Sequence, residues 1–213
     1  MTPLLTTSYL PPVEYFAFLA QGETWLERCE HYHKQSFRSR CVILTSNGPE
    51  ALSVPVVHRF NHEPVAETCI DYSMPWQRTH WRAIESAYGC SPYFLYYQDA
   101  LRPFYERRYE RLFDFNLQIV HALLKVLQLP SKVYLTEDFT PMEEGDLRAL
   151  VQPRKQASSD YPFRLTEPYY QVFGHKFGFV PNLSVIDLLF NTGPSAKAYL
   201  LAAGQRFKTL TIS

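Results

Sequence analysis

The segment from Pro181 to Pro194, Pro-Asn-Leu-Ser-Val-Ile-Asp-Leu-Leu-Phe-Asn-Thr-Gly-Pro, sets the tightest limit on what this chain can fold into. It reads as one short helix. Asn182, after a proline, is placed to cap the first turn, and Gly193 followed by Pro194 ends it. At about 100° per residue, Val185, Ile186, Leu189 and Phe190 share one side. Ser184, Asp187 and Asn191, spaced i, i+3 and i+7, form a narrow polar stripe on the other. A surface helix would carry Lys or Glu there. Short polar groups flanked by apolar ones point instead to a packed or enclosed space. A buried ionised carboxylate needs hydrogen-bond or charge partners, since its desolvation otherwise costs roughly several kcal/mol. Asp187 therefore either ties neighbouring loop amides together or serves a site, and the spacing leaves both open.

The 213 residues suffice for one well-buried domain and are short for two. Basic and acidic residues number 21 each, so the chain has no net charge, which argues against nucleic acid as the main partner. No window has the apolar length needed to cross a membrane, and the first residues lack a signal peptide's positive start and apolar core. Cys29, Cys41, Cys69 and Cys90 are scattered without a C-x-x-C pair, so neither a zinc cluster nor a disulfide framework is indicated. A soluble cytoplasmic protein is the expectation. Tyr and Phe occur 15 times each, which favours a large core or a stacking-lined pocket over disorder.

The pattern predicts a strand over Leu4 to Tyr9 closed by Leu10-Pro11-Pro12, a short helix over Val13 to Ala20, and a second strand over Thr24 to Glu27. Cys41–Leu44 and Ala51–Val54 flank Ser46-Asn47-Gly48-Pro49, a hairpin signal, and Thr68–Tyr72 reads as a further strand. The middle is helical: Trp76 to Tyr88 with Gly89 as a stop, then a Tyr- and Phe-rich helix opened by Ser91-Pro92, with a kink or restart at Pro103. Asp114 is placed to cap a third helix through Leu127, apolar nearly all round and so expected to be deeply buried. Lys132 to Thr136 reads as a strand of the buried type. Residues 141–162 turn polar and read as a surface excursion of a single domain.

Candidate chemistry gathers in three places. Lys34, Gln35, Arg38 and Arg40 lie in Tyr32-His33-Lys34-Gln35-Ser36-Phe37-Arg38-Ser39-Arg40, a cluster suited to a phosphate or carboxylate, or else a solvated basic turn. His80 sits within the apolar arc of Trp76, Trp81, Ala83, Ile84, Ala87 and Tyr88, as either a hydrogen-bonded core histidine or a general acid–base. The stripe of Ser184, Asp187 and Asn191 is the third. His58 and His62 are i, i+4, but flanking prolines argue against the helix that would join them, so no metal is assigned. G-x-G-x-x-G, G-x-x-x-x-G-K-[ST] and G-x-S-x-G are all missing. With eight glycines, any phosphate must be held by side chains or a helix N-terminus, and no cofactor is named.

Ordered blocks carry a resemblance. They are Tyr9-Leu10-Pro11-Pro12-Val13-Glu14-Tyr15-Phe16, Lys34 to Arg40, Leu52-Ser53-Val54-Pro55-Val56-Val57-His58, Trp76 to His80, Ser91-Pro92-Tyr93-Phe94, Tyr169-Tyr170-Gln171-Val172-Phe173, and Gly178 to Pro194. Together they resemble the WbqC-like protein family over nearly the whole chain. Pro12 and Glu14 depart from that family's usual Trp and Gly. The resemblance implies an α/β fold and an association, in some members, with polysaccharide and O-antigen biosynthesis clusters; it implies no active-site assignment.

The resulting expectation is a single α/β domain with a mixed central β-sheet flanked by helices. Its function is expected to be group transfer on a sugar- or amino-acid-containing small molecule. Lys34, Gln35, Arg38, Arg40 and Tyr9 would contact the substrate, His80 would move a proton, and Asp187, Ser184 and Asn191 would orient it. The alternatives are a non-catalytic glycan- or peptide-binding protein with a tyrosine-lined groove, and a cytoplasmic scaffold. Whether His80 and Asp187 share one cleft discriminates among them.

Overall fold

A computed structural model describes residues 3–57, 63–141, 147–150 and 167–212. The chain opens with a strand–helix–strand unit: β1 (Leu4–Thr6), α1 (Val13–Leu19) and β2 (Glu23–Glu27). Two small antiparallel ladders follow, β3 (Arg40–Thr45) with β4 (Gly48–Ser53), and β5 (Val56–Val57) with β6 (Cys69–Ile70). Next come the helices α2 (Trp76–Tyr88), α3 (Phe94–Leu101), α4 (Pro103–Glu106) and α5 (Leu112–Val126). The chain then returns as β7 (Lys132–Leu135) and continues through α6 (Leu147–Leu150), α7 (Gly174–Phe177), α8 (Val185–Thr192) and α9 (Ser195–Ile212).

The central sheet has the order β1-β2-β7 and is wholly parallel, with Leu4 opposite Trp25 and Trp25 opposite Tyr134. This is an α/β fold in which parallel and antiparallel pairings occupy separate sheets. Leu5 and Leu26 are buried in the core, whereas Trp25 and Tyr134 pack as tilted rings on the outer face, 5.3 Å apart and 41% and 36% exposed. The strand predicted as buried, β7, is therefore an edge strand of half-exposed character. Its apolar run reflects pairing with β2 and one packed face.

Mutual satisfaction of helix starts fixes the layer over this sheet. All seven residues of α1 are buried. The α1 amide Val13 N donates to Leu183 O at 2.9 Å, and the α8 amide Val185 N donates to Pro11 O at 2.8 Å. Pro12 and Ser184 form a bridge between these donors, so each stretch supplies acceptors for the other's orphan amides. Ser184 occupies the cap position of α8 in place of Asn182, which instead turns the chain at φ 54°. Every α8 residue from Val185 to Asn191 is buried, as its short polar stripe predicted. Helix α9 then closes on α1 through Gly204, where a Cβ would collide with the Ala17 carbonyl and Gln21.

Several predicted boundaries shift for local reasons. The first strand stops at Thr6, where its pairing with β2 ends, and the chain turns at Leu10 (φ 39°) before Pro11. The Asn47-Gly48 hairpin forms, with Thr45 paired to Gly48 so that Ser46 and Asn47 make the turn. Thr68–Tyr72 contributes only Cys69–Ile70 to a ladder. The third middle helix begins at Leu112, so Asp114 lies in its first turn, and its exposed side leaves it amphipathic rather than apolar all round. The Ser91 hydroxyl donates back to Tyr88 O, and the following helix starts at Phe94. Pro103 restarts the helix as predicted. His58, His62 and most of the 141–162 excursion lie outside the described residues.

Candidate functional site

His80, in the middle of α2, is 5% exposed and packs against Trp76 and Tyr9. Its Nδ1 lies 2.9 Å from Tyr9 Oη, which lies 2.9 Å from Tyr105 Oη. Burial lowers the His80 pKa to about 4, so the imidazole is neutral near pH 7. Burial also pushes the Tyr9 and Tyr105 phenols up, and the Cys41 thiol as well. These groups form a buried, uncharged polar knot inside an aromatic shell.

Arg38 is enclosed too. Its Nε donates to Glu30 Oε1 at 2.9 Å and its Nη2 to Glu30 Oε2, a bidentate pair. Asn116 Nδ2 donates to Arg38 O at 2.7 Å and to Thr7 Oγ1 at 3.2 Å, linking this pair to the end of β1. Lys34 and Gln35 are exposed, and Arg40 is half-buried in β3. The three cations therefore do not converge on one cradle, because Arg38 faces inward to the carboxylate eight residues before it.

Asp187, 1% exposed, accepts through Oδ2 from Tyr169 Oη at 2.7 Å and from Gln171 Nε2 at 2.9 Å. Tyr88 is a third hydrogen-bond partner. Burial raises the Asp187 pKa, and the three donors partly offset that rise. Gln171 also bonds Val180 through both its amide groups, so Asp187 anchors the 169–180 stretch to α8. Asn191 Nδ2 donates to Asp187 O at 2.8 Å within the helix, while Ser184 Oγ and Asn191 Oδ1 have no partner among the described residues. His80 bonds Tyr9 while Asp187 bonds Tyr169 and Gln171, so the two share none of these hydrogen-bond partners, and neither lines the cleft described next.

A cleft does open elsewhere, at the C-terminal edge of the parallel sheet. It measures about 270 Å³ and is lined by Arg28, Cys29, Pro64, Ala66, Glu67, Arg111 and Glu137. One wall consists of the residues that follow β2 and β7. The other is the turn before β6 together with the start of α5, joined where Cys69 bridges Arg111 and Leu112 N donates to Thr68 O at 2.9 Å. Beneath the first wall lies Glu27, fully buried at the last position of β2. Its Oε1 accepts from Cys29 N and Thr136 Oγ1, both at 2.8 Å, and its Oε2 accepts from Thr140 N at 2.9 Å and from Arg148 Nη1 at 3.4 Å. Thr136 Oγ1 in turn accepts from Arg28 N at 3.0 Å. One carboxylate thus fixes Arg28, Cys29 and the backbone on either side of Glu137. Cys29 donates its thiol to Glu137 O at 3.2 Å, and partial burial raises its pKa, so it is no ready thiolate.

None of the side chains of Arg28, Glu67, Arg111 and Glu137 is in an ion pair among the described residues. None of the four was singled out from the sequence. The available signal was positional: two follow strands that had been read correctly, and ligands of α/β sheets sit beyond strand C-termini. Among the described residues, no three His, Cys, Asp or Glu side chains form a metal-ligating group, and no helix is long and apolar enough to cross a membrane.

Comparison with known proteins fits this architecture to a family. Residues 7–163 match the WbqC-like protein family, and the chain belongs to it. The chain is also similar to the uncharacterized protein Rv1507c of Mycobacterium tuberculosis (strain ATCC 25618 / H37Rv), at 27% identity over 226 residues, covering 92% of this chain and 96% of that protein. No solved structure gives a significant match.

Proposed function

We propose that this protein is a small-molecule group transferase, acting on a sugar- or amino-acid-containing metabolite of surface polysaccharide assembly, and that the cleft beyond β2 and β7 receives the metabolite. The observation that carries this reading is the convergence of four charged side chains, in no ion pair among the described residues, on one cleft at the strand ends. The backbone at Arg28 and on either side of Glu137 is held from below by a fully buried carboxylate, an arrangement suited to holding exposed groups at fixed positions. Arg28 and Arg111 hold an anionic group, and Glu67 or Glu137 accepts a proton from the attacking group. Four free thiols suit a reducing, cytoplasmic setting. The expected test is a thermal-shift screen of sugar phosphates, nucleotide sugars and amino acids. At least one class raises the melting temperature of the wild type, and Arg28→Ala/Arg111→Ala removes that shift while leaving the unliganded melting temperature within a degree or two. A shift that persists in the double variant refutes the assignment.

A second reading, a non-catalytic binding protein, draws on the enclosure of His80 and the full engagement of Asp187, which leave neither as a proton shuttle. Mass spectrometry separates the two. A mass change in the bound metabolite on adding an activated donor supports transfer; tight binding with no product under any donor supports the second reading.

A further inference from the structure

We infer that the cleft takes a zwitterion, a small molecule carrying both a carboxylate and an ammonium group, rather than a nucleotide-linked sugar; this rests on the cleft being the substrate site. The charge pattern is the first argument. Arg28 and Glu137 follow adjacent strands, β2 and β7, and stand on the sheet wall. Glu67 and Arg111 stand on the opposite wall, tied together through the Cys69–Arg111 bridge and the Leu112 N to Thr68 O bond. Each wall therefore presents one cation and one anion, and the charged lining sums to zero. A carboxylate placed at an arginine leaves a carboxylate of the protein close by, which favours an ammonium and opposes a second negative charge. Among the described lining residues Arg28 and Arg111 only balance Glu67 and Glu137, so a diphosphate would add negative charge in excess.

Size is the second argument. About 270 Å³ lies at the small end of the roughly 300–1,000 Å³ of pockets that enclose drug-sized ligands, a volume that suits a free amino acid or small amino-bearing acid. The walls are also pinned before any ligand arrives. Glu27 fixes the sheet wall. On the other wall, Glu67 N donates to Pro64 O at 2.9 Å, Thr68 Oγ1 to the same carbonyl at 3.2 Å, and Val65 N to Glu30 O at 2.8 Å. Little ordering cost is left for binding.

Calorimetry on the full chain tests this with glycine, serine and glutamate, their carboxamides, their N-acetyl derivatives, and UDP-glucose. The expected result is binding of at least one free amino acid. Blocking either its carboxylate or its amine should weaken binding tenfold or more. Arg111→Ala should abolish binding of the free form, and Glu137→Gln should weaken it without changing the melting temperature of the unliganded protein. If the capped forms bind as tightly as the free ones, and Arg111→Ala still abolishes it, the zwitterion assignment falls while the cleft stands as the site. UDP-glucose binding that is lost in Arg111→Ala has the same consequence. Binding of any probe that is unchanged in Arg28→Ala/Arg111→Ala overturns both, as does the absence of binding by every probe.

Discussion

Burial sorts the polar side chains of this protein into those that hold the fold and those that line the cleft. His80 belongs to the first group. Its pKa of about 4 lies below the ordinary 6.5, so the unfolded chain takes up a proton at a higher pH than the native one. Its contribution to stability is complete above pH 6.5 and is lost as pH falls toward 4, by on the order of 3 kcal/mol at most. Denaturation midpoints measured across that window should show a shallower acid slope for His80→Gln than for the wild type. Asp187 makes the converse case. Truncation to Ala leaves Tyr169 Oη and one Gln171 N–H donor without their acceptor, at a cost of about 2–4 kcal/mol in urea unfolding. Its elevated pKa means that ionisation opposes folding at neutral pH, so Asp187→Asn should cost much less than Asp187→Ala. Neither change should alter ligand binding by the molecules that remain folded, because the cleft lies elsewhere. Arg38→Ala should destabilise by about 3–5 kcal/mol, since it strands Glu30 in the interior. Arg38→Met with Glu30→Gln should recover much of that in the same unfolding assay.

Elements were legible where the chain is punctuated. Pro11-Pro12 and Gly89 bracket α1 and α2 at the boundaries read from sequence, and Pro103 parts α3 from α4. Reading failed where a partner lies far along the chain. Nothing near Lys132 says that β7 will be an edge, and nothing near Asp187 says that Tyr169 and Gln171 will turn toward it. Nothing in the cluster around Arg38 says that its guanidinium will turn inward to Glu30, eight residues earlier. The cleft was missed because its four charges come from four separate segments. One helix end exposes a cost invisible in composition. Helix α5 closes with Gln128 at φ 54°, Leu129 N bonding Leu124 O at 3.0 Å and Gln128 N bonding Lys125 O at 3.1 Å, a Schellman arrangement with Gln where glycine is usual. Gln128→Gly should raise stability by about 1 kcal/mol, read as a later urea midpoint at unchanged slope. At the α1–α9 contact the sign reverses. Gly204→Ala gains about 1 kcal/mol of helix propensity but sets a methyl group on the Ala17 carbonyl, so a net loss of about 1–2 kcal/mol is expected.

On the scale of the whole molecule, the α/β class was readable because strand-like and helix-like periods alternate, while the pairing of distant strands was not. The central sheet joins residues 23–27 to 132–135, and the first helix is covered by α8 and α9 from the end of the chain. This has a consequence for synthesis. A ribosome delivers Val13–Leu19, seven residues destined for burial, more than 160 residues before the helices that shield them. Until then the N-terminal amides of α1 lack Leu183 O, and Leu10 has nothing to hold its left-handed backbone. The nascent chain carries an uncovered apolar segment until α8 and α9 have emerged, and the layer over the central sheet closes late.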